Sequence, residues 1–248
     1  TNNCTEKRQK MTSINADKSV GQLVGERIAR ASVFEAYGID FCCGGQQSLS
    51  AACSEKGIDL DEVLSKLAVT DAEKPQDDAT DYSAMALDQL ADHIVSTHHA
   101  YLGRELPRLT EMAGKVTRAH GEKDSRLSTV ETTLQALSDE LTSHMMKEER
   151  ILFPAIRELA QTEGLPQMPC GTLSGPIDVM EHEHDSAGNA LEQLRNLTDN
   201  HTPPDWACNT FRALLAGIHE LELDLHQHIH KENNILFPRA LELEQQRQ

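Results

Sequence analysis

The chain has 248 residues and a formal net charge of −17, from 40 acidic against 23 basic side chains, with 38% apolar and only 4% aromatic residues. That length supports one mid-sized and one small domain whose cores need no disulfides. The charge argues against a nucleic-acid partner, because affinity for phosphates needs clustered Lys and Arg. No apolar run reaches the roughly 18 residues of a membrane-spanning helix, so no membrane role is expected. Twelve histidines in so acidic a chain point to metal.

The chain opens at Thr1 without an initiator Met or a signal-like apolar segment. Residues 1–12 read as a tail or processed end, with Met11 a candidate start. The cysteines, Cys4, Cys42, Cys43, Cys53, Cys170 and Cys208, do not form a disulfide framework, and a cytoplasmic location is expected. Residues 13–70 read as a small helical domain: a helical pattern from Val20 to Tyr37 stopped by Gly38, a turn carrying Cys42, Cys43, Gly44 and Gly45, then short helices around 49–54 and 61–67. A charged stretch without apolar anchors, residues 71–82, reads as a linker. Residues 83–248 carry four long helical patterns, near 83–115, 125–161, 175–198 and 204–244, and no convincing strand alternation. Short connections favour antiparallel neighbours, so the expected fold is all-α, an up-down four-helix bundle behind a small helical domain.

The bundle repeats itself. His144, Glu148 and the run Ile151–Pro154 return 84 residues later as His228, Glu232 and Ile235–Pro238, as expected of two helical hairpins related by an approximate two-fold axis. On the second helix, Leu134, Leu137, Leu141, His144, Glu148, Ile151 and Ala155 share one seam. Ile177, Met180, His184, Ala187, Leu191 and Leu194 do so on the third. Leu214, Ile218, Leu221, Leu225, His228, Glu232 and Ile235 do so on the fourth. Imidazoles and carboxylates thus stand where Leu and Ile otherwise belong. An unpaired carboxylate buried there costs several kcal/mol or stays protonated, and a pair of cations compensates two of them together. On the first helix the spacing leaves His98 and His99 both open: Leu87, Ala91 and Ile94 upstream favour His98, whereas Leu102 and Leu106 downstream favour His99. Four imidazoles and two carboxylates suit iron, manganese or zinc in a dinuclear site. Two His per ion with Glu148 and Glu232 bridging leave room for an oxo or hydroxo bridge and one exogenous ligand.

Pro154 and Pro238 should bend their helices just past these residues. Cys42 and Cys43 are candidate reactive thiols for redox chemistry, metal transfer or nitrosylation if a helix N-terminus favours the thiolate, and inert buried thiols otherwise. An adjacent pair strains as a disulfide. His120 is a candidate for lining access to the metals. His93, His98, His182, His201, His219, His226 and His230 read as surface or supporting groups.

Together these features resemble the YtfE/ScdA-type family of iron–sulfur cluster repair di-iron proteins. The segment Phe34–Gly45 looks like the family's short N-terminal domain. His144–Glu149, Glu183–Asp185 and Glu232–Pro238 look like its hemerythrin-like domain, and the likeness covers nearly the whole chain after the first dozen residues. Aligned on Asp92–Ile94 and Glu105–Pro107, the family's first ligand falls on His99, beside His144, Glu148, His184, His228 and Glu232. The resemblance implies a centre of two non-haem irons, damaged or apo iron–sulfur proteins as partners, NO or O₂ as small ligands, a cytoplasmic stress-response role and a possible homodimer. Hemerythrins proper carry a further His, a departure that argues against plain oxygen carriage. Three functional readings result: cluster repair by supplying iron or handling NO, reduction of NO or nitrite (or ferroxidase turnover), and an O₂/NO sensor or carrier. A zinc-bound structural bundle stands outside them.

Overall fold

A computed structural model describes residues 14–73, 81–166 and 171–248. The proposed tail with Cys4 and Met11, most of the proposed linker, and Cys170 lie outside the described residues. The chain divides into two compact units at Ser83/Ala84. The described residues are helices and connections; the one extended pairing among them is a lone antiparallel bridge between Ser19 and Ser48.

In the first unit, α1 (Val20–Glu26) begins with reciprocal caps: Ser19 Oγ accepts from the Gln22 amide and the Gln22 side chain accepts from the Ser19 amide. The helix expected to run on to Tyr37 is broken. Arg27 is extended, and a 3₁₀ turn (Ile28–Arg30) leads into α2 (Ala31–Ala36). The break turns Arg30 inward, where it donates to Leu23 O, to Glu26 and to both carboxylate oxygens of Asp71. A buried guanidinium so fully paired is a local demand that helical periodicity does not carry. Gly38, in the left-handed region at φ +61°, ends the segment. After the cysteine turn, α3 (Leu49–Lys56) starts at a Ser48 cap, and α4 (Leu60–Ala72) starts at Asp59 and outruns the expected 61–67.

The second unit is the four-helix bundle. Its first helix is α5 (Leu87–Ile94) and α6 (Ala100–His120), joined by a π-turn, Val95–His99. The second is α7 (Arg126–Lys147) and α8 (Phe153–Gln161), joined by a π-turn, Glu148–Leu152. The third is α9 (Ser174–Leu197), and the fourth is α10 (Asn209–Lys231) and α11 (Phe237–Gln246), joined by a π-turn, Glu232–Leu236. α6 packs on α7 and α10, α7 on α9, and α5 on α8. Leu102, Leu106, Leu109, Leu134, Leu141, Leu191, Leu214 and Leu221 meet in one core. Gly217 admits the close approach of α6, since a Cβ there would lie 2.5 Å from Leu109 Cδ2.

Each π-turn inserts one residue into the helical ladder and rotates everything beyond it by about 100°. The seam therefore shifts after Glu148: Leu152 is buried, while Ile151, expected on the seam, is 53% exposed. Pro154 and Pro238 fall at the starts of α8 and α11, just after the turns. Their missing amides cost little there because the ladder has already been reset. His120 ends α6, about 30 Å along the helix from His99. It packs on Trp206 and Phe211 instead of lining a path to the centre.

Away from the seam's polar end, Glu222 on α10 is buried and accepts from Arg195 on α9 and from His201 Nε2 at 2.8 Å. Burial alone would raise its carboxyl, but His201 and Arg195 outweigh that, with His226 adding to them, and hold it at about 2, below its ordinary 4.5. A depressed folded-state value means stability that is fully present above the unfolded value and lost as pH falls toward 2. Glu222→Gln in chelator-treated protein should therefore cost about 2–3 kcal/mol at pH 7 by urea unfolding, with the deficit vanishing toward pH 2. A deficit unchanged across that range would contradict the assignment.

Candidate metal centre

The three π-turns and the middle of α9 converge on six polar side chains in an otherwise apolar interior. Two groups of ligand-type atoms form there, His99, Glu148, His228 and Glu232, and His144, Glu148, His184 and Glu232; within each group the atoms lie no more than 4.8 Å apart. The groups share Glu148 and Glu232, both fully buried. His99 Nε2 and His144 Nε2 each lie 3.3 Å from Glu148 Oε2. His184 Nε2 lies 3.1 Å from Glu232 Oε2, and His228 Nε2 lies 2.9 Å from Glu232 Oε1. His144 Nε2 and His184 Nε2 face each other at 3.1 Å.

The outer faces of the rings explain why the inner nitrogens converge. His99 Nδ1 donates to Glu149 (2.9 Å), His144 Nδ1 to Glu183 (2.9 Å) and His184 Nδ1 to Asn233 Oδ1 (2.7 Å). Each bond fixes a tautomer and aims an Nε2 lone pair inward. Phe153 stacks on His99 and Phe237 on His184, holding the rings from the side. The π-turns provide both kinds of support. Glu149 and Asn233 follow the shared carboxylates directly, and Phe153 and Phe237 follow the turns.

The donor set fits cations. Both oxygens of Glu148 and Oε2 of Glu232 are buried without a hydrogen-bond partner, as are His99 Nε2 and His228 Nδ1. Native interiors do not leave carboxylate oxygens so placed without compensation. Without metal, protons must supply it. Burial and the Glu232 charge push the Glu148 carboxyl up to about 7. Burial also works against the charge of Glu232, but His228 and His184 hold it well below the usual carboxylate range. Glu232 in turn overcomes burial to raise His184 to about 9, while burial and His184 lower His144 to about 4.

The structure brings His99, His144, Glu148, His184, His228 and Glu232 together and also buries His98, which lies outside both groups. His98 Nδ1 donates to Asp224 Oδ1 (2.9 Å) and its Nε2 accepts from Lys231 Nζ (2.7 Å), while its ring lies parallel to that of His228. The repeat gave a signal for Lys231, which matches Lys147, and placed Asn233 opposite Glu149; Glu183, whose counterpart is His98, had no such signal.

Cys42 and Cys43 belong to the first unit. Their turn lies ahead of the Ser48 cap of α3, not on a helix N-terminus. Asp40 organises it by accepting from the amides of Cys42, Cys43 and Gly44. The two sulfurs lie 3.9 Å apart as free thiols, and Cys42 also donates to Asp40. The Cys43 contact, burial and the Asp40 charge push the Cys42 thiol well above its ordinary value, so it is held protonated. Cys53 is buried and Cys208 exposed.

A helical bundle with a buried cluster of imidazoles and shared carboxylates is the architecture of the hemerythrin class, and the family described as "Hemerythrin HHE cation binding domain" matches residues 90–240. The ScdA_N family, described as a domain of unknown function, matches residues 16–71. The iron–sulfur cluster repair protein YtfE of Musicola paradisiaca (strain Ech703) is 44% identical over 225 residues, 91% of this chain and 96% of its own length. Its counterparts in Dickeya chrysanthemi (strain Ech1591) and Escherichia coli O81 (strain ED1a) are 42% and 41% identical, each covering 91% of this chain and 97% of their own. The chain belongs to the YtfE family of iron–sulfur cluster repair proteins. Among the described residues no helix is long and apolar enough to cross a membrane.

Proposed function

We propose that His99, His144, Glu148, His184, His228 and Glu232 hold two non-haem iron ions and that the chain uses this centre to restore iron–sulfur clusters damaged by oxidative or nitrosative stress. His99 and His228 would take one ion, His144 and His184 the other, and Glu148 and Glu232 would serve both. The observation that carries this reading is the pair of ligand groups sharing two fully buried carboxylates. When bound, an iron pair supplies one-electron chemistry and reactivity toward NO and O₂. The protein's own part is to hold three of the rings by their outer nitrogens and the fourth, His228, by stacking on His98, keep the carboxylates dry and exclude bulk water.

Repair also requires iron for the client, and the reading treats iron as cargo delivered to damaged or apo iron–sulfur proteins in the cytoplasm. The test is transfer from the iron-loaded chain to an apo iron–sulfur protein, followed by recovery of the client's cluster absorbance. Loaded wild type should restore the client and Glu148→Leu should not. Equal restoration by both would remove the centre from the mechanism. Catalytic consumption of NO with a reductant, without iron loss, would favour the reductase reading.

A further inference from the structure

A second imidazole–carboxylate cluster lies about two helical turns before His228 on α10. His201, His219 and Glu222 place three ligand-type atoms within 4.8 Å of one another. None of them belongs to the groups of the bundle centre. His219 and Glu222 stand one turn apart on the same helix and so share a face. His201 arrives from the α9–α10 connection, where Asp199, Asn200 and His201 are all left-handed, at φ 49°, 55° and 58°. Three successive non-glycine residues in that region cost conformational energy, and what they deliver is one imidazole against Glu222.

The hydrogen bonds decide what that imidazole can accept. Thr198 Oγ1 donates to Leu194 O at 2.7 Å, accepts from the His201 amide at 3.2 Å and lies 3.2 Å from His201 Nδ1. The remaining nitrogen, Nε2, faces Glu222 Oε2 at 2.8 Å. Without metal Nε2 donates to that carboxylate oxygen, and a metal ion taking both atoms as ligands would replace the shared proton. Glu222 is held from behind by Arg195 on its other oxygen, which orients the carboxylate as an outer partner of a ligand does. His219 is exposed, and its ring centroid lies 5.4 Å from that of His201, so the third ligand sits on the solvent side.

We propose that His201, His219 and Glu222 form a separate site for one borderline divalent cation of the zinc type, which clips the α9–α10 connection onto α10. Two imidazoles with one carboxylate select such an ion over magnesium or calcium. Neighbouring ligands of a tetrahedral zinc lie about 3.3 Å apart at bond lengths near 2.05 Å, so small side-chain movements close the cluster, with water completing the set. The proposal does not depend on iron in the bundle centre.

The test titrates zinc into the full-length chain as isolated, by calorimetry and by melting temperature, with bound iron measured before and after so that displacement is not counted as new binding. His219→Ala removes an exposed ligand and leaves the core alone. His201→Asn removes the imidazole with a residue that tolerates the left-handed backbone. Wild type should bind one zinc more than either variant, or bind it more than about tenfold tighter, since ligand loss exceeds the ~10–100-fold cost of losing an outer partner. Only wild type should show the accompanying rise in melting temperature. Identical stoichiometry and affinity in all three proteins would overturn the proposal, and that outcome is readable whatever the iron content proves to be.

Discussion

Glu148→Leu is expected to abolish metal loading while making the metal-free protein more stable, and the opposite signs are the point of the experiment. In the absence of metal, Glu148 is a fully buried carboxyl, both of its oxygens lack a hydrogen-bond partner, and the charge of Glu232 helps push it up to about 7. Replacing a buried carboxyl without a hydrogen-bond partner by an apolar side chain of similar volume removes a desolvation penalty of about 1–3 kcal/mol. With metal, the same substitution removes a ligand from both groups at once, because Glu148 belongs to each. Binding free energy that stabilises only the folded state is then lost, which at saturating metal amounts to at least about 3–4 kcal/mol. Urea unfolding with and without chelator, together with metal analysis, checks both halves. If the substitution destabilises the metal-free protein as much as the loaded one, Glu148 is a structural residue and not a ligand.

Much of this centre is legible in the helical phase of the sequence. His144, His184 and His228 stand in phase with the apolar residues of their seams, and the structure buries each of them beside Glu148 or Glu232. Periodicity carries that information because a helix fixes which residues share a face. It stops at a π-turn. Upstream of Val95 the apolar phase runs into His98, and downstream of His99 it starts from His99, because the turn between them adds one residue. Both imidazoles are accordingly buried, one among the ligand-type groups and the other against Asp224 and Lys231. Ile151 left the seam for the same reason. In the first unit, the inward turn of Arg30 broke a helix whose apolar spacing was continuous, since an ion pair with Asp71, some forty residues on, has no period to detect. Cys42 and Cys43 were legible as a pair, but the upward push on the Cys42 thiol comes from its contact with Cys43, its burial and the nearby Asp40 side chain, which spacing does not encode.

The near-symmetry of the two hairpins makes the departure from symmetry informative. In one half, Glu183 accepts from both Lys147 Nζ and His144 Nδ1. Glu183 precedes His184, and its counterpart in the other half is His98, which precedes His99. Lys231, the counterpart of Lys147, donates to His98, and His98 lies flat against His228 with ring centroids 5.2 Å apart. His228 Nδ1 is therefore buried without an acceptor, whereas His144 Nδ1 has a carboxylate. A carboxylate behind a ligating imidazole raises its basicity and locks its orientation, and its loss costs about 10–100-fold in metal affinity. If the centre holds two irons as proposed, the ion on the His99–His228 side is the one expected to leave first. Extraction by a chromogenic ferrous chelator should be biphasic in wild type, with a rate gap of at least about tenfold. Glu183→Gln should accelerate the slow phase toward the fast one. His98→Glu, which places a carboxylate within reach of Lys231 and of the His228 ring, should slow the fast phase. If Glu183→Gln leaves the slow phase untouched while the chain still loads two irons, the outer hydrogen bonds do not set which ion is released.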